Sequence, residues 1–150
     1  SFANADVEDI YSDLGLKDAL ELKVNTFSSY ILKNNKGRFE KIKLPNYAQI
    51  SSINDILIDD FNQDGIKEIL VAGNLYTSEV ETTRNDASYG SIILFDKNLD
   101  NLKAQKPSQS GLFIKGDCKK LSEIKIGNET YLLSAMNNDA VILDRILNKI

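Results

Sequence analysis

Apolar and polar positions change period once along the chain. Over residues 6–23 they recur at helical spacing: Val7, Ile10 and Tyr11 mark one face, Leu16, Ala19, Leu20 and Lys23 a second, and Gly15 falls between them as a stop. The pattern predicts two short helices. After Asn25 the runs become short and rich in β-branched and aromatic residues: TFSSYILKN, RFEKIKL, INDILID, KEILVAG, YGSIILFD, LDNLKA, LSEIKI, TYLLSAM and AVILDRIL. Most are separated by Asn, Asp, Gly or Lys-Asn turn chemistry. Nine short strands with frequent turns predict a mainly all-β, antiparallel architecture: a sandwich, a barrel or a propeller.

Internal similarity separates those options. A shift of 62 residues places Ser29, Ile31, Leu32, Lys41 and Pro45 on Ser91, Ile93, Leu94, Lys103 and Pro107, and Gly65 and Leu70 on Gly127 and Leu132. A unit of this length holding four short strands matches a propeller blade, somewhat longer than the usual ~40–50 residues. The chain then divides into a helical segment (1–24), a partial blade (25–52), a complete blade (53–107) and a degenerate one (108–150). Propellers generally close with about four or more blades, and an open stack leaves unpaired edges. The expectation is a fragment of a longer propeller, or edges closed by self-association with another copy.

The stretch DDFNQDGIKE concentrates carboxylates between two apolar runs. Counting from Asp60 as position 1, Asn62 is 3, Asp64 is 5, Gly65 is 6, Ile66 is 7 and Glu68 is 9. Positions 1, 3 and 5 offer side-chain oxygens, position 7 a backbone carbonyl, and glycine at 6 permits the sharp turn around a hard cation. Calcium, which accepts six to eight oxygens at flexible angles, suits this set better than octahedral magnesium. An EF-hand needs glutamate at position 12, which here is Val71, and helical flanks where this chain carries strand-like runs. The bland alternative is a solvated hairpin turn. At the repeat offset the ligand positions become Ser122, Ile124 and Ile126, so a single site is expected.

Composition narrows the chemistry. Of 150 residues 42% are hydrophobic and 27% charged, as in an ordinary globular protein. With 18 basic and 22 acidic residues the net charge is −4, which argues against a nucleic-acid partner. There is no histidine and one cysteine, Cys118, so histidine-dependent triads and dyads are excluded within the chain, as are the common zinc sites. Cys118 reads as a small buried strand residue. No apolar run is long enough for a membrane span, and the first residues lack the basic start and apolar stretch of a signal peptide.

The residues DFNQDGIKEILVAGN resemble the D-x-[DN]-x-D-G-x-x-[DE] core of FG-GAP-like repeats, also called VCBS repeats, and the segments AGNLYTSEVETTRNDASYGSIIL and SGLFIKGD resemble the secreted bacterial, ASPIC-associated type. The similarity covers residues 25–145. It implies β-propeller blades, one structural Ca2+ held by Asp60, Asn62, Asp64, the Ile66 carbonyl and Glu68, and an extracytoplasmic location, periplasmic, secreted or at the cell surface. Glu68 departs from the aspartate more usual there. The implied function is a non-catalytic module binding a protein or glycan ligand; the alternative is a fragment of a propeller enzyme such as a polysaccharide lyase, with catalytic groups partly outside this chain.

Other residues have weaker claims. The long segment between Leu75 and Gly90 could carry a binding surface through Arg84, Asp86, Ser88 and Tyr89, against the reading that Arg84 pairs locally with Asp86. Glu79 with Glu81, or Asp59 with Asp60, make no glycosidase pair by themselves, since adjacency in sequence says nothing about separation across a sugar and Asp60 is already assigned to the ion. Asn128-Glu129-Thr130 matches a glycosylation triplet of low specificity.

Overall fold

The computed structural model describes residues 2–11 and 13–147. Nine strands occur in the predicted order: β1 (Tyr30–Asn35), β2 (Arg38–Lys43), β3 (Asp55–Asp59), β4 (Glu68–Ala72), β5 (Ser91–Leu94), β6 (Lys103–Ala104), β7 (Cys118–Ile126), β8 (Glu129–Met136) and β9 (Ile142–Arg145). All pairings are antiparallel, in a two-stranded sheet β1-β2, a four-stranded sheet β3-β4-β5-β6 and a three-stranded sheet β7-β8-β9. The four-stranded sheet lies in the middle. Its Leu70 and Ile92 pack with Phe61, Ile114, Cys118, Leu121 and Leu132 toward the three-stranded sheet. On the opposite face Val71 and Ile93 pack with Leu44 and Ala48, and Ile31 of β1 joins them. Burial on both faces is why β4 reads as the continuous run EILVA rather than as an alternation.

The turns follow from local chemistry. Between β1 and β2, Lys36 and Gly37 take positive φ of 51° and 88°, the geometry a two-residue hairpin needs. Gly73, after β4, serves a close approach: a Cβ there would lie 2.1 Å from the Ser52 carbonyl oxygen.

The N-terminal segment forms the two expected short helices, with different bounds. Helix α1 spans Val7–Ile10 and α2 spans Asp13–Leu16, one turn each, and Gly15 lies inside α2 instead of separating two faces. Leu16, Ala19, Leu20 and Lys23 share no helix; residues 19–29 form no regular element. A helix this short is unstable without a surface to bury, and α1 buries no residue. A further one-turn helix, α3 (Pro107–Ser110), starts at proline and stops at Gly111 with φ of 73°.

The offset of 62 residues maps pairings but not directions. Ile31 opposes Ile42 across β1 and β2 as Ile93 opposes Ala104 across β5 and β6, and Leu32–Lys41 corresponds to Leu94–Lys103. Yet Ile31 and Ile93 meet in one cluster, and Leu70 and Leu132 in the other. Equivalent residues of stacked sheets would face the same way, and these face each other. Side chains alternate with period two along a strand, so a one-residue shift of the alignment would restore facing but would carry the Ile31–Ile42 pair onto Ile92 and Lys103, which do not pair. Among the described residues the three sheets form an open stack, with no closed ring.

Candidate metal centre

The acidic loop, residues 60–67, connects β3 to β4, and both flanks are strands, as the EF-hand exclusion requires. Val71 is a buried residue of β4. Phe61 anchors the loop by inserting its ring into the core between the central and three-stranded sheets. From there the chain turns around its own carboxylates. Asp60 Oδ1 accepts from the Asp64 N–H at 3.0 Å and Asp60 Oδ2 from the Gly65 N–H at 2.9 Å. Asn62 Oδ1 also accepts from the Asp64 N–H, at 2.9 Å, and Asp64 Oδ1 accepts from the Ile66 N–H at 2.7 Å. Gly65 has φ of 87° with nothing near its missing Cβ, so backbone conformation alone calls for glycine there.

This folding brings oxygens of Asp60, Asp64 and Glu68 within 4.8 Å of one another. Glu68 opens β4 and is only 3% exposed; its Oε2 accepts the Phe61 N–H at 2.9 Å. Burial pushes its carboxyl above the usual range, and the charges of Asp64 and Asp60 push the same way, against hydrogen bonds from the Phe61 and Asn62 backbone. None of the four ion pairs among the described residues reaches the cluster. A carboxylate oxygen that accepts one hydrogen bond keeps a second lone pair, so the bonds that shape the loop leave donors for a cation. Three converging carboxylates with no protein cation fit a hard divalent ion. Asn62 and Ile66 belong to the same turn, held through their bonds to Asp64.

Asp59 ends β3 and leaves the cluster; its Oδ1 accepts the Asp60 N–H at 2.9 Å. It lies beside Glu123, whose carboxyl is raised by burial and then by Asp59. The counterpart of the loop in the next sheet is a two-residue turn, since β7 runs to Ile126 and β8 starts at Glu129. Ser122, Ile124 and Ile126 are thus strand residues, with no loop around them. Arg84 pairs with Asp86 at 3.0 Å and covers the Tyr76 ring at 4.5 Å, so it fastens its own loop. Cys118 is fully buried at the start of β7, and burial raises its thiol.

Sequence reasoning missed the polar junction between sheets. Buried Asn74 donates to the Ser88 and Gly116 carbonyls at 2.9 and 2.8 Å and accepts the Ser88 N–H at 3.1 Å. Asn54 Nδ2 donates to the Asn74 and Cys118 carbonyls at 2.8 and 2.7 Å. Buried Asp117 meets Lys119 at 2.6 Å and Asn137 at 3.1 Å. Asp55 of β3 accepts the Leu121 N–H of β7 at 2.6 Å. No local signal marks these residues, since single Asn and Asp at the ends of apolar runs are ordinary turn chemistry.

Comparison with protein-family models, with curated proteins and with solved structures gives no match. The resemblance to FG-GAP-like repeats therefore rests on the quoted residues alone.

Proposed function

We propose that this chain is a non-catalytic, calcium-binding β-propeller-type module, built of FG-GAP-like blades and working outside the cytoplasm as a scaffold for a protein or glycan ligand. The observation that supports it most is the convergence of Asp60, Asp64 and Glu68 within 4.8 Å in a loop flanked by strands. The sheet order adds support: two strands, then an antiparallel four-stranded sheet, then three strands, in consecutive sheets as blades would be. Asp60, Asn62, Asp64, the Ile66 carbonyl and Glu68 would hold the ion. Calcium there is structural: it neutralises carboxylates that otherwise repel, and it fixes the connection between two strands of the central sheet.

Calorimetric titration of the chain with calcium and, separately, with magnesium tests this reading. Calcium is expected to give saturable heat and to raise Tm, magnesium to give a weaker response, and Asp64→Ala to abolish both effects. A chain whose heat and Tm ignore calcium, as the Asp64→Ala variant does, would overturn it.

A further inference from the structure

The two-stranded sheet is narrower than the sheet it covers. β1 pairs with β2 along one edge, and no strand among the described residues pairs with its other edge. On the same side the central sheet leaves part of its face open: Ile56 and Ile58 of β3 are 54% and 53% exposed. They stand opposite Val71 and Ile69, which already pack in the cluster with Ile31. The open patch therefore continues an interface the molecule has already formed.

A segment of matching character is tethered beside that edge. Leu20, Leu22 and Val24 alternate with Glu21 and Lys23, the period of a half-buried strand, yet Leu20 and Leu22 are each 83% exposed. The chain also repeats a phrase: Gly15-Leu16-Lys17-Asp18-Ala19-Leu20 parallels Gly65-Ile66-Lys67-Glu68-Ile69-Leu70, and the second copy leads into β4, an interior strand of the central sheet. Residues 26–29 join the segment to β1, a length typical of hairpin connections. That link is already ordered. The Ser28 N–H donates to Thr26 Oγ1 at 3.3 Å, Ser29 accepts the Leu44 N–H at 3.0 Å, and its own N–H donates to Gln49 at 2.7 Å.

We propose that residues 17–25 form a strand that adds antiparallel to the free edge of β1, widening the first sheet to three strands and turning Leu20, Leu22 and Val24 toward the face that carries Ile56 and Ile58. An exposed strand edge beside an apolar face is a template for strand addition, and the nearest matching strand is the chain's own. The inference stands apart from the metal reading, since none of these residues belongs to the acidic loop.

Hydrogen exchange by mass spectrometry on the full 150-residue chain, with molar mass followed by light scattering, tests it. The amides of residues 19–24 are expected to exchange roughly tenfold or more slowly than an unstructured peptide. This should hold in a monomer. Leu22→Asp should return them to the unstructured rate while β8, away from the edge, keeps its protection. Unstructured exchange in the unmodified chain overturns the proposal. So does protection that survives Leu22→Asp, or that appears only in a dimer and vanishes on dilution, the last of which makes a second copy the occupant.

Discussion

Two hairpins join the first two strands of neighbouring sheets, and they differ in everything but glycine. Between β7 and β8 the chain reverses through Gly127 and Asn128 alone; between β3 and β4 it uses residues 60–67. Gly127 and Gly65 both take positive φ, 63° and 87°. Reversal thus needs only a short glycine turn, and of the longer loop only Phe61 belongs to the core. The remaining length sets Asp60 and Asp64 against a buried Glu68, an arrangement that repels itself in the free chain. Connectivity alone does not require the longer loop, and the proposed cation is tested by comparing the two hairpins.

If the framework stands without the loop, the largest loss should come from a residue outside both hairpins. Asn74→Ala leaves the Ser88 N–H and the Ser88 and Gly116 carbonyls without their partner, so it should cost about 3 kcal/mol. Urea denaturation with calcium and with chelator should give the same loss. A loss that calcium reverses would show that loop and framework are one unit, and the comparison would fail.

The next effect separates the hairpins directly. In the double variant Asp60→Asn, Asp64→Asn the loop keeps its length and its Phe61 anchor; the single amide oxygen at position 60 can still accept the Gly65 N–H while Asn62 Oδ1 accepts that of residue 64, and two charges are lost. Calcium at a hundredfold excess over Kd stabilises a one-site protein by about 2.7 kcal/mol, and the variant should lose this entirely while matching or exceeding the parent in chelator. Substituting Asn128 in the short turn should leave the calcium response intact.

These expectations show what a reader of the sequence could and could not find. β3 was legible because its β-branched run, Ile53, Ile56 and Ile58, is bounded by Asn and Asp, and the acidic loop because its carboxylates are spaced within one turn. The junction at Asn74 was not legible, because its partners Ser88 and Gly116 lie 14 and 42 residues away and nothing local distinguishes it from a turn asparagine. Two short N-terminal helices were legible in the apolar spacing, but each is a single turn, and the residues assigned to the second face do not share a helix because the structure gives them no surface to bury. The 62-residue offset matched identities and strand pairings but not facing, since identities alone do not report which way a side chain points.

Acid should act on the two regions with opposite sign. Burial opposes ionisation of Asp117, but its bonds to Lys119 and Asn137 outweigh that and hold its carboxyl below the ordinary range. Its stability is present above the carboxyl's unfolded value and is lost as pH falls through the lower folded one. Glu68 is raised, so in chelator the folded chain takes up its proton first; stability from that group is full below the unfolded value and declines as pH rises through the folded one. In chelator, Glu68→Gln should therefore remove a stability loss that the parent shows on raising pH through that interval, and Asp117→Asn should flatten the acid limb. With calcium present, proton competition at Glu68 should weaken binding as pH falls. A calcium affinity flat across the carboxylate range would place the ion elsewhere.

The smallest effects compare the glycines. Neither Gly65 nor Gly127 has an atom within 4 Å of a built Cβ, so alanine meets backbone strain alone, and each substitution should cost about 1 kcal/mol in chelator. Calcium is expected to separate them. Gly127→Ala should keep the parent's calcium response, because its turn touches none of Asp60, Asp64 and Glu68. Gly65→Ala should lose part of it, because the Gly65 N–H holds Asp60 Oδ2 at 2.9 Å and a shifted turn misplaces that carboxylate. Calorimetry reads the difference as a weaker affinity with unchanged stoichiometry. Equal responses in the two variants would mean that the loop's conformation, unlike its charge, is not what the ion requires.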